Sequence, residues 1–281
     1  MVWSNDGDLL NPLVFLAWVA TGVAVGAYGT LVGAGGGFAL VPILLLVYPR
    51  QSPAQLTAVS LAVVFANVVS GSIGYSRLRR IDYRTGLLLA PATIPGAVIG
   101  ALVVGGIPRA AFDAIMGGAL ILVAAFLLLR PQGTMPVGLN GGWVASRTLV
   151  DSDRNRYQYR FNQALAIATS FGIGFVSSLL GIGGGIIQVP ILTAFFGFPA
   201  HIASATSQFV QVATSGVGAL THVLHGDYAS FVGVTLALAV GVTIGAQAGT
   251  MISRRMAGSS IIRLLAVSLG LVGIRLLFVR G

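Results

Sequence analysis

The 281-residue chain contains no cysteine, no lysine and no glutamate. The first absence excludes disulfides and thiolate metal sites. All basic residues are Arg, all acidic ones are Asp, and together they make up only 8% of the chain. An ordinary soluble domain carries about 25% charged residues. What replaces them is apolar: 56% of residues are hydrophobic. Six runs come near the ~20 residues a helix needs to cross hydrocarbon: 13–32, 54–76, 85–106, 110–129, 231–251 and 261–279. A soluble fold would have too little polar surface to cover them. The first twelve residues hold Asp6 and Asp8 and no basic residue, unlike a signal peptide, so the first run is expected to stay in the membrane.

The net charge of +9 invites a nucleic-acid reading, but the placement of the Arg excludes it. They lie between or at the edges of the apolar runs, as in the cytoplasmic loops of membrane proteins. Arg77, Arg79, Arg80 and Arg84 share one short loop, and Arg147, Arg154, Arg156 and Arg160 fall in a polar stretch, 131–160. That stretch divides the chain into a first half (1–130), a cytoplasmic linker expected to be a solvated loop, and a second half (161–281).

The halves repeat. Gly33-Ala34-Gly35-Gly36-Gly37 precedes Phe38-Ala39-Leu40-Val41-Pro42-Ile43-Leu44; 148 positions on, Gly181-Ile182-Gly183-Gly184-Gly185 precedes Ile186-Ile187-Gln188-Val189-Pro190-Ile191-Leu192. Asp82-Tyr83 recurs as Asp227-Tyr228, and Gly96–Ala101 as Gly241–Ala246. Several ordered matches indicate duplication. The stretch 13–48 is too long for one span and breaks at its glycines, leaving a piece that covers only about 16 Å. Each block therefore reads as a hairpin returning to its own side, followed by three spans. An odd number of crossings per repeat makes the halves inverted. The expected fold is an all-α polytopic transmembrane bundle of two inverted repeats, with both termini outside.

The candidate site follows from the breaks. Non-helical backbone at membrane depth is tolerated where it is buried or lines a wet cavity. A half-helix starting there points its N–H groups and positive dipole end inward, which suits an anion. Gly35, Gly36 and Gly37, with Gly183, Gly184, Gly185 and Gln188, are the backbone candidates. Polar side chains on the following helices are the others: Ser60 and Asn67 in the first half, Thr206, Ser207, Gln208 and Gln211 in the second. The competing reading is close packing for the glycines and interhelical bonding for the polar side chains. His222, His225 and Asp227 read as a hydrated interfacial group able to carry a proton. No residue set suggests a metal, a cofactor or an enzyme's nucleophile and base, and no phosphate-binding Gly-x4-Gly-Lys-Ser/Thr motif occurs.

These blocks resemble the TauE/SafE family of membrane permeases. The resemblance rests on Gly33-x-Gly-Gly-Gly-x4-Pro42-x-Leu, Gly181-x-Gly-Gly-Gly-x4-Pro190-x-Leu and Ala205-Thr206-Ser207. The first half departs from the last of these, reading Val59-Ser60-Leu61. The resemblance implies transport of sulfite or a short organosulfonate such as sulfoacetate. The expectation is a secondary transporter of the bacterial inner membrane, working by alternating access, with a proton or sodium ion as candidate coupling ion. The alternative is a passive anion channel of the same architecture.

Overall fold

The computed structural model describes residues 11–129, 143–228 and 231–278. Asp6 and Asp8, Arg130, the linker residues 131–142 and the C-terminal residue lie outside these. Ten helices are described: α1 (Pro12–Leu31), α2 (Gly37–Val47), α3 (Pro53–Arg77), α4 (Tyr83–Val103), α5 (Arg109–Leu129), α6 (Gln163–Leu180), α7 (Gly185–Ala194), α8 (Ala200–His225), α9 (Val232–Arg255) and α10 (Gly258–Phe278). Both halves thus read as a long helix, a short one and three long ones. Local sequence starts them. Asn11, Ser52, Asp82 and Asn162 place side-chain oxygens on free N–H groups at the heads of α1, α3, α4 and α6, and Pro12 and Pro53 occupy first helical positions, where no N–H is needed.

Seven of the helices are long and apolar enough to cross a membrane. The short ones, α2 and α7, are not. Nor is α8, although it is 26 residues long, because its Ser, Thr, Gln and His lower its hydropathy. It is instead buried among the other helices, which answers the polarity: Ser204, Thr206, Ser207, Gln208, Gln211 and Ser215 have no exposed surface.

Helix directions follow from which residues meet. α3 and α8 cross antiparallel, with Leu61 against Gly218 and Gly71 against Gln208. α5 and α10 are also antiparallel, pairing Ile121 with Gly273 and Ala124 with Gly270. α1 runs parallel to α9, and α4 parallel to α6. Both parallel pairs are close enough that backbone touches backbone. A Cβ at Gly96 would lie 2.1 Å from the Phe171 carbonyl oxygen, and one at Gly241 would lie 2.2 Å from that of Val19. Helices in a membrane gain van der Waals contact this way.

The described part of the segment between the halves is not a solvated loop. Residues 144–162 form a two-stranded antiparallel sheet, β1 (Val144–Val150) with β2 (Arg156–Asn162). Alternation explains it: Ala145, Tyr159 and Phe161 turn inward onto Phe196 and Phe198, while Arg156 and Arg160 turn out. The turn is organised by Asp151, whose Oδ1 accepts the N–H groups of Asp153 and Asn155 at 2.9 Å each. Arg80, 3% exposed, reaches Asp151 at 3.3 Å and Asp153 at 3.6 Å. Asp153 pairs in turn with Arg254 at the end of α9. Burial alone would raise the Asp151 pKa, but its bonds to Asn155 and Asp153 and the charge of Arg80 outweigh it and hold the carboxyl below its usual value.

Candidate functional site

The glycine turns meet at the centre of the bundle. α1 stops at Leu31, α6 at Leu180, and the chain turns through Gly33, Gly35 and Gly36, or Gly181, Gly183 and Gly184, all with positive φ. Gly36 (φ 86°) and Gly184 (φ 88°) begin the short helices, and no side chain caps either one. An L side chain there would cost roughly 1–2 kcal/mol in backbone strain alone. Pro42 and Pro190 sit inside α2 and α7, where each removes one hydrogen bond back toward the first turn.

The two turns touch each other. A Cβ at Gly37 would fall 2.7 Å from the Gly181 carbonyl oxygen, and one at Gly185 would fall 2.4 Å from that of Gly33. The flanking contacts are reciprocal: Thr57 of α3 packs on Gly181, and Ser204 of α8 packs on Gly33. The uncapped starts of α2 and α7 therefore converge where α3 and α8 cross.

Most of the expected side chains bind this backbone. Ser60 Oγ donates to the Gly181 carbonyl at 2.6 Å. Asn67 Nδ2 donates to Gly35 at 2.9 Å, and Thr30 Oγ1 donates to Asn67 Oδ1 at 3.1 Å. Gln211 Nε2 donates to the Gly33 carbonyl at 3.0 Å and to Ser207 Oγ at 3.1 Å. Ser207 Oγ donates in turn to Gln188 Oε1 at 3.4 Å. These carbonyls belong to residues outside regular helix, so the bonds answer a backbone need. The interhelical-bonding reading thus applies to Ser60, Asn67 and Gln211, each bonded to a glycine turn.

What is left over defines the chemistry. Gln211 spends its amide donors on Gly33 and Ser207, and its Oε1 has no partner among the described residues. That oxygen lies in the gap between the turns, 2.5 Å from a Cβ built on Gly35 and 3.1 Å from one on Gly183. The donor role expected of Gln211 is therefore occupied in this conformation, and its free end is an acceptor. Among the described residues, the buried Gln188 Nε2 has no partner. Nor has either carboxamide atom of the buried Gln208, which lies against Gly71 and close to Thr30.

Thr206 is not part of this cluster. Its Oγ1 accepts the Asp82 N–H at 3.1 Å, at the β-hairpin end of the bundle. Helical spacing accounts for this: 204, 207, 208 and 211 share a face, and 206 lies off it. Thr30, Val64 and Gly33 were not among the expected residues, although each touches the site. Gly33 opens the glycine run and could have been read there. Val64 sits in an apolar run and gives no such signal.

Broken helices meeting at their glycine turns inside a multi-pass helical bundle, among fully buried polar side chains, are the build of a membrane transporter. The sulfite exporter TauE/SafE family profile matches residues 18–276, and the chain belongs to that family. It is 30% identical over 270 residues to the probable membrane transporter protein YunE of Bacillus subtilis (strain 168), covering 94% of this chain and 97% of that one. It is 26% identical over 284 residues to the probable membrane transporter protein MJ0441 of Methanocaldococcus jannaschii, covering 96% of each. A probable membrane transporter protein of Xylella fastidiosa (strain 9a5c) is 25% identical over 241 residues. No solved structure gives a significant match.

Proposed function

We propose that the chain is a secondary transporter of the bacterial inner membrane that carries a small sulfur oxyanion, sulfite or a short organosulfonate such as sulfoacetate. One observation carries this reading. The uncapped, glycine-started N-termini of α2 and α7 converge at the bundle centre, which gives positive potential and free N–H groups without a fixed charge. The free acceptor Gln211 Oε1 sharpens it. An oxyanion that still carries a proton, such as hydrogen sulfite, presents both the negative oxygens the helix starts attract and a hydroxyl for Gln211 to accept.

The antiparallel crossing of α3 with α8, and the reciprocal packing of Thr57 and Ser204, support reading the halves as inverted repeats. The Arg at the β-hairpin end support a cytoplasmic assignment for it. Alternating access would then be relative movement of the halves about the glycine tips. Complete burial of the central side chains supports an occluding carrier over an open channel.

Thermal stabilisation of the purified protein by sulfite, sulfate, thiosulfate, taurine and sulfoacetate tests the reading. Sulfite should stabilise most, and sulfate and sulfoacetate, which carry no ionisable proton at neutral pH and offer Gln211 no hydroxyl, should be the weaker partners. Saturable, solute-driven flux in proteoliposomes should follow. Flux that stays linear with concentration would point to the channel instead.

A further inference from the structure

The end of the bundle opposite the β-hairpin holds an ionisable pair that the central site does not use. His222, in the last turn of α8, has a side chain only 1% exposed, and its Nδ1 lies 2.7 Å from Asp227 Oδ2. A carboxylate only accepts, so Nδ1 carries a proton, and in the neutral imidazole Nε2 keeps its lone pair. That Nε2 is buried and has no partner among the described residues. The hydrated group read from sequence is hydrated only in part: Asp227 reaches solvent, and His222 does not.

The pair fastens a turn that joins the halves. α8 ends at Gly226, and the Asp227 N–H returns to the His222 carbonyl at 3.2 Å. The next residue, Tyr228, sends its hydroxyl 2.9 Å to the Ala58 carbonyl near the start of α3. An opening of this end that parts α8 from α3 must therefore disturb the turn that His222 and Asp227 hold closed.

We propose that His222 Nε2 is a proton-binding site linked to opening of this end of the transporter. The proposal rests on the transport reading and extends it to the coupling ion. Opening admits water, which delivers a proton to the Nε2 lone pair. The product is an imidazolium whose Nδ1–H remains on Asp227. Closing the bundle around that form would bury an Nε2–H with no acceptor and a charge paired on one side only, so the closed form is the unprotonated one. Proton binding and opening then favour each other, because linkage is reciprocal. Asp227 and His225 are the charged or titratable groups acting on the ring. The parts of α3, α4 and α6 at this end, residues 53–66, 93–103 and 171–180, contain no titratable side chain. A neutral imidazole nitrogen is a poor sodium ligand, so the site selects a proton.

Hydrogen exchange of the purified protein in detergent, without solute, tests this between pH 5 and 8. After correction for intrinsic rates, amides in residues 221–228 should lose protection by about tenfold or more as pH falls through the histidine range near ~6.5. His222→Gln should remove that pH dependence. His225→Gln should keep it, since His225 is exposed and bonds only the Thr221 carbonyl. Wild-type protection that is indifferent to pH, or an unchanged pH response in His222→Gln, overturns the proposal. Should His222→Gln not fold, the wild-type titration and the His225→Gln control still decide. No solute is used, so failure here and failure of sulfite to bind are separate results.

Discussion

Ser60 on α3 donates its hydroxyl to the carbonyl of Gly181, 121 positions away in the other half, at 2.6 Å. Gln211 on α8 does the converse for Gly33. Each half's polar helix thus holds the other half's glycine turn. The glycine turns are tied across the halves as well as within them, where Asn67 holds Gly35 at 2.9 Å.

Glycine at the tips is tested best where φ is ordinary. Gly37 and Gly185 are absent from the positive-φ residues, so Ala there adds a Cβ without backbone strain. That Cβ would meet the facing carbonyl oxygens at 2.7 and 2.4 Å. Gly37→Ala and Gly185→Ala should push the tips apart, lowering thermal stability by roughly 1–3 kcal/mol and solute binding by an order of magnitude or more. Melting curves and a binding titration check this. Ala tolerated at both positions would show that the tips need not touch.

The two site glutamines should separate stability from affinity. Gln211→Leu strips the Gly33 carbonyl of its donor inside the bundle, so stability should fall by about 1–3 kcal/mol. Gln208 has no hydrogen-bond partner among the described residues. Gln208→Leu should leave stability unchanged or raised, while weakening solute binding by roughly five- to thirty-fold if the amide meets the solute in an open state. Melting temperature and dissociation constant, measured on both variants, distinguish these outcomes.

Much of this site was legible in the sequence. The glycine runs followed by Pro42 and Pro190 gave two short helices. The spacing of Gln208 and Gln211 marked a polar face of α8, but Thr206, expected with them, lies off that face and bonds Asp82 instead. The orientation of Gln211 was hidden because it depends on the Gly33 carbonyl, 178 positions away. The β-hairpin was hidden by its Arg: the inward series Ala145, Tyr159 and Phe161 is short, and the charges beside it suggested a loop. The burial of Arg80 depends on Asp151, which no local pattern connects to it.

Asp151 gives a pH dependence of known sign. Its pKa in the folded protein is held below the carboxylate value. The stability it contributes is therefore present above about pH 4 and is lost as pH falls through the lowered folded value. Asp151→Asn should destabilise the β-hairpin at neutral pH, because buried Arg80 loses its nearer partner charge and keeps only Asp153 at 3.6 Å. The same variant should lose little more on acidification below about pH 4, while the wild type converges toward it. Thermal melts from pH 3 to 7 in detergent show whether the curves converge.

Topology is open to a direct test because the chain has no native Cys. Arg154, at the tip of the β-hairpin, and Arg50, in the turn between α2 and α3, lie at opposite ends of the bundle. Arg109 marks the second end through its bonds to the Leu45 and Gln51 carbonyls at 2.8 and 3.1 Å. The Arg of the α3–α4 turn gather at the β-hairpin end, and basic loops stay cytoplasmic. A membrane-impermeant thiol reagent applied to intact cells should therefore label Arg50→Cys and leave Arg154→Cys unlabelled. Inside-out vesicles should give the reverse. Trp18 stacks on Tyr48, and α10 runs antiparallel to α5, so the start of α1 and the end of α10 lie on the Arg50 side; labelling of Arg154→Cys from outside would reverse the whole arrangement. It would put the His222 turn on the cytoplasmic face, where the proton it binds would come from inside the cell.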